Sequence, residues 1–171
     1  MFAESLPVVD IAEFSDNSVN SSGIFDKIKL LPIELVYDFV PPAGFDGQAA
    51  LGAVELVVDA EWTDIEITHR SGSWVQSVDY MANGTFWKQS LSFTIAKDRP
   101  DLVAWFNRHA RRQWIAAIQD RNEYWRVIGT PSQPLLIESA SASTGRNARS
   151  VMFAAETEQE AFFLHEDEFT G

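Results

Sequence analysis

A mainly β fold, a β-sandwich or barrel carrying one amphipathic helix, is what this sequence predicts. Three observations lead there. Apolar and polar residues alternate with a period of two through most of residues 53–164. One window, about residues 99–112, switches to helical spacing. An Asn83-Gly84 pair separates two alternating runs, which is a strong local hairpin signal.

The elements follow in order. Residues 1–30 read as an extended, flexible N-terminal arm, because S-D-N-S-V-N-S-S-G from Ser15 to Gly23 shows no period and little to bury. Val8-Val9, and Ile28 with Leu30-Leu31, suit docking on a partner. The first strand is expected over residues 33–40, stopped by Pro41-Pro42. Residues 41–52 then form a long loop holding Phe45 and Leu51. Both are odd choices for a solvated loop, so they fold back on their own core or meet a neighbouring subunit.

Beyond the loop, Val54, Leu56 and Val58 share one strand face. Ile65 and Ile67 share the inner face of the next, with Asp64, Glu66 and Thr68 outward. Trp74, Val78 and Tyr80 form a third stripe. Trp87, Leu91, Phe93 and Ile95 form a fourth.

The helix has Asp98 as its expected N-cap and Pro100 in its first turn. Leu102, Trp105, Phe106 and His109 line one face, and Arg108, Arg111 and Arg112 complement the dipole at the C-terminal end. A second hairpin is expected around Asp120-Arg121-Asn122. After it come strands over residues 135–139, around Val151, Phe153 and Ala155, and over residues 161–164. The organisation is an arm (1–30), one β-rich domain (31–165) and an acidic tail (166–171).

Composition narrows the chemistry. The 171 residues are 46% hydrophobic, and 12 Phe, 6 Trp and 3 Tyr supply a core without staples. Cysteine is absent, which excludes disulfides, thiolate metal sites and a cysteine nucleophile. Met1-Phe2-Ala3-Glu4-Ser5 lacks a secretory pattern, and no apolar run approaches the ~20 residues of a membrane span. The expectation is therefore synthesis in a cytoplasm and no membrane partner.

Net charge is −12 but unevenly spread. Residues 1–66 hold 13 acids and 2 bases, residues 67–150 hold 6 acids and 11 bases, and residues 151–171 hold 6 acids and no base. Solubility explains this, and so does steering between acidic ends and the basic middle of another copy. An acidic chain is a poor tight binder of nucleic acid, which is held through phosphate neutralisation.

Catalytic signatures are lacking in the sequence. His69, His109 and His165 fall on a strand, the helix and the tail, outside any two-histidine metal spacing. There is no nucleophile elbow and no phosphate-cradling glycine loop. Glu156, Glu158 and Glu160 alternate along one strand, which suits a solvated stripe better than facing carboxylates. No catalytic, cofactor-binding or metal-ligating residue is singled out, and the chain reads as a non-enzyme without cofactors. Trp74, Phe86, Trp87, Trp114, Tyr124 and Trp125 leave open a ligand-binding sandwich of carbohydrate type, or they serve core and interface.

One resemblance organises these parts. Residues 72–164 carry S-L-S-F-T-I (90–95), the helix, W-I-A-A-I-Q-D (114–120), a D-x-N-x-x-x-R-x-x-G pattern from Asp120 to Gly129, and Pro134-Leu135. They end in Glu156-Thr157 and Ala161-Phe162-Phe163. This order resembles bacteriophage tail tube and tail-associated structural proteins. The resemblance implies a virion protein of tail or neck, made in the bacterial host. It would form homo-oligomeric, hexameric rings that stack with other virion proteins into a tube passing DNA as non-specific cargo. Asp64 and Glu66 would then be channel-facing, and Phe45 and Leu51 would sit in an inter-subunit loop.

Overall fold

Alternation of side chains has placed eleven strands in two sheets among the residues described by the computed structural model, 23–42 and 51–164. In chain order they are β1 (Ile24–Pro32), β2 (Val36–Val40), β3 (Leu51–Leu56), β4 (Thr63–Glu66), β5 (Ser73–Met81) and β6 (Gly84–Ala96). The helix α1 (Pro100–His109) follows, then β7 (Trp114–Asp120), β8 (Trp125–Ile128), β9 (Leu136–Ser143), β10 (Ala148–Thr157) and β11 (Phe163–Leu164). The seven-stranded sheet runs β2-β3-β11-β8-β7-β1-β4, and the four-stranded sheet runs β5-β6-β10-β9. Pairing is antiparallel except between β11 and β3. Both sheets keep open edges, so the architecture is sandwich-like and not a closed barrel.

The main core lies between the sheets. Ile28, Leu30, Ala116, Ile118 and Ile128 face it from the larger sheet, and Leu91, Phe93, Val151 and Phe153 from the smaller. Phe93 and Phe153 stack at 6.0 Å. The residues of opposite parity, Leu31, Ile115 and Val127, form a second cluster with Val54, Phe162 and Leu164. The larger sheet is thus apolar on both faces, which explains the unbroken run Trp114 to Ile118. Helix α1 closes the main core with Phe106, while Trp105 stacks on Trp114 at 5.6 Å.

Several expectations need correction. The arm cannot extend to residue 30, because β1 begins at Ile24 and buries Ile28 and Leu30 between β7 and β4. Residues 1–22, like the tail 165–171, lie outside the described residues. The strand expected over 33–40 is a 3₁₀ turn, Ile33–Leu35, followed by β2. Leu51 heads β3 opposite Phe163 and is not part of a loop, and Phe45 lies outside the described residues. The helix is shorter than 99–112, and Arg99 is its N-cap. Asp98 is instead engaged by Arg149 through two hydrogen bonds of 3.0 and 3.2 Å. The first hairpin turns at Ala82-Asn83, one residue early, with Gly84 already paired to Met81. Tyr80 is largely exposed and Val78 only partly covered, so neither is a core residue.

Buried glutamines join the two layers. Gln89 has the inward parity of Leu91 and Phe93, and its amide donates to Thr157 Oγ1 at 2.9 Å and accepts from the Gly129 N–H at 3.2 Å. Gly129 adopts φ +82°, a region costly for any side chain, and a Cβ there would crowd Leu135. Replacing Gln89 by Leu strands the Gly129 N–H without a partner. The expected loss is about 1–3 kcal/mol in urea unfolding, the ordinary cost of an unsatisfied buried donor. An unchanged midpoint would mean that water reaches this contact.

Candidate functional site

Asp64 and Glu66 project from β4, the short outer strand of the larger sheet, and both are exposed as their parity requires. Ile67, beyond the end of β4, is buried, and Ile65 packs on the core edge. The two acids are not a bare acidic stripe. Register sets Asp64 opposite Lys29 and Glu66 opposite Lys27, and Asp64 meets Lys29 Nζ at 2.8 Å and Lys27 Nζ at 3.7 Å. A cleft of about 430 Å³ lies between β4 and α1. Ile65, Ile95, Leu102 and Trp105 supply its apolar lining, with Asp64, Glu66 and Arg99 as its charged lining.

Edge strand β5 differs from β4. Charged side chains and a length of four residues blunt β4 against further pairing. By contrast β5 is nine residues long, contains no Pro or Lys, and leaves Val75, Val78, Tyr80 and Met81 exposed. Tyr80 is 77% exposed. Its single charge, Asp79, is held by Lys88 at 2.8 Å, and that hydrogen bond keeps the carboxyl below its usual range. The β10 ladder ends at Thr157 opposite Trp87, so the pairs from Asp79↔Phe86 to Met81↔Gly84 extend past it. The result is an overhanging hairpin with apolar side chains on an open edge.

His69 and His109 make structural contacts. His69 Nδ1 bonds Asp26, whose carboxylate also accepts the Arg70 N–H at 3.1 Å and faces Arg121. The His69 hydrogen bond first, then that N–H, lowers the Asp26 pKa. His109 lies edge-on to Trp114 beside Trp105. Burial, then the charges of Arg112 and Arg108, push its pKa below the ordinary histidine value. Among the described residues no group of three or more His, Asp or Glu is placed to hold a metal ion. No helix among them is long and apolar enough to cross a membrane. Of the aromatics suited to stacking on sugars, Trp114 is buried, Trp74 is covered by Arg126, and only Tyr124 is largely exposed.

The D-x-N-x-x-x-R-x-x-G pattern resolves into distinct roles. Asp120 Oδ1 accepts the N–H groups of Asn122 and Tyr124 at 2.8 and 3.0 Å and so closes the β7–β8 turn. Gly129 supplies the positive φ after β8. Arg126 takes the inward parity of Ile128, opposite Ile118. Sequence reading missed Gln89 and Arg126 as inward residues. Their parity with Leu91 and Ile128 was the available signal.

Compared with protein-family models, curated proteins and solved structures, the chain matches none.

Two predictions arise from these contacts. Because the folded state disfavours His109 protonation, its contribution is present above the ordinary histidine pKa of 6.5 and is lost as pH falls from there through the lower folded value. Thermal melts from pH 7 to 5.5 should show a fall in stability that His109→Gln reduces; parallel curves would remove the assignment. Replacing Asp64 by Asn should cost no more than about 1 kcal/mol, as for exposed ion pairs, with the difference shrinking in high salt. A larger loss in chemical denaturation would show Asp64 to be part of a stronger network than its exposure suggests.

Proposed function

We propose that this chain is a structural subunit of a phage tail or neck that self-assembles into rings or a tube through which DNA passes. The observation that carries self-assembly is the β5 edge. A long strand with one side unpaired among the described residues, and with exposed Val75, Val78, Tyr80 and Met81, is a ready template for pairing with another copy. Pairing there would satisfy its outer backbone groups and remove apolar area from water together.

Charge supports the second half of the reading. A chain of net charge −12 repels phosphates, so a conduit built from it lets DNA slide. Asp64 and Glu66 contribute less to this than a bare pair of acids would, because Lys27 and Lys29 stand across from them. The proposal therefore rests on the β5 edge and on overall charge.

Negative-stain microscopy and sedimentation test it. The purified chain at rising concentration is expected to form rings or tubes. The double variant Val75→Lys, Tyr80→Lys should retain its circular dichroism spectrum and remain monomeric, since edge lysines block strand addition. A chain that stays monomeric throughout, or a variant that assembles as well as its parent, overturns the reading.

A further inference from the structure

An arginine in an inward-facing strand position requires an explanation. Arg126 shares its parity with Ile128 and sits opposite Ile118 at one end of the inter-sheet core. Other half-buried arginines have carboxylate partners: Arg149 holds Asp98 and Arg121 holds Asp26. Arg126 makes neither a hydrogen bond nor an ion pair within the described residues. The two acids whose charge it feels are Asp120 and Glu160, and one oxygen of each is engaged elsewhere. Asp120 closes its turn, and Glu160 Oε1 accepts from Gln76 at 2.9 Å. Burial accordingly depresses the arginine's pKa.

The guanidinium is instead flanked by rings. Its carbon lies 4.1 Å from the Phe163 ring centroid and 4.5 Å from that of Trp74. Such cation–π contacts satisfy none of the N–H donors of the cation. The indole N–H of Trp74, occluded in the same wall, has no acceptor among the described residues either. Alongside lies a cavity of about 290 Å³. Ile24 and Ile118 give it apolar walls, and Ser73, Asp120 and Arg126 give it polar ones. Gly72 keeps the wall thin, since a Cβ at that position would collide with Ile24 and Ile67.

We propose that Arg126 and this cavity form a receiving site for a carboxylate with a short apolar body. The acceptor must arrive in the plane of the guanidinium, and a planar carboxylate matches that fork with two parallel hydrogen bonds. A phosphate dianion fits less well, because the Asp120 charge beside the cavity opposes a second negative charge. The inward isoleucines favour a small aliphatic group behind the carboxylate. A free monocarboxylate and an acidic side chain of another copy offer the same chemistry. The site stands on this geometry and does not require the assembly reading.

The test uses the full chain and nitrogen-detected NMR of arginine side chains. Sodium acetate and sodium butyrate are titrated against sodium chloride at matched ionic strength. The Arg126 Nε–H resonance should shift saturably with the carboxylates at millimolar levels, butyrate more tightly than acetate, and not with chloride. Arg126→Lys keeps charge but loses the fork, and should weaken binding about tenfold, read by tryptophan fluorescence. If the occupant is another copy, the Arg126 signal in the parent chain also moves with protein concentration alone, and acetate reverses the movement. If it does not, free carboxylate is the occupant. A linear response equal to that of chloride and no concentration dependence overturns the proposal, as does saturable binding unaltered in Arg126→Lys. Because the NMR arm reads the unmutated chain, poor folding of the variant would not obscure the result.

Discussion

The passage of the chain from the small sheet to the large one is the constraint on which this fold depends. Residues 158–162 leave β10, cross to the other layer and deliver β11 between β8 and β3. Polar backbone making such a crossing must find partners, and side-chain amides supply them. Gln133 accepts the Glu158 N–H at 2.8 Å, Gln76 accepts the Ala161 N–H at 2.9 Å, and Gln89 holds Thr157 where the crossing begins. The Phe162 carbonyl then accepts from Val127 in β8 at 2.9 Å. Through Phe163 and Leu164, β3 and with it β2 join the larger sheet.

That dependence explains which parts of the fold were legible in the sequence. Strands with one wet face announced themselves: β6 and β10 alternate cleanly, and Leu91, Phe93, Val151 and Phe153 are buried as their spacing requires. The turn at Asp120 was legible because its carboxylate acts within four residues. What escaped were features set by distant partners. β1 looked like part of an arm because its segment follows a polar stretch without a period, yet β7 and β4 pair with it on either side. Asp98 looked like a cap, but Arg149, 51 residues away, takes its carboxylate.

The site was legible to a lesser degree. Parity placed Asp64 and Glu66 outside correctly, while the lysines that balance them come from β1, a strand that sequence reading had assigned to the arm. Exposure of Val78 and Tyr80 could not be read locally either. Alternation groups them with Trp74, yet no packing layer among the described residues buries that end of the face. Charge asymmetry has the same character. Part of the basic middle of the chain is taken up by internal ion pairs, Arg112 with Glu34, Arg121 with Asp26 and Arg149 with Asp98, which act as tethers. Two of these, Arg112 with Glu34 and Arg121 with Asp26, join the middle to the acidic first third within one copy.

The brevity of β11 has a mechanical consequence. Tension applied to the chain beyond Leu164 falls first on a strand of two residues held between β8 and β3. Such a strand offers few hydrogen bonds to share the load, so it is the first element to yield. Its release would free the β2–β3 hairpin from the larger sheet, while β6, β10 and the inter-sheet core remain behind the glutamine contacts of the crossing. The molecule is thus built to fail in stages under a pull from that end, with a soft outer latch and a stiff inner frame.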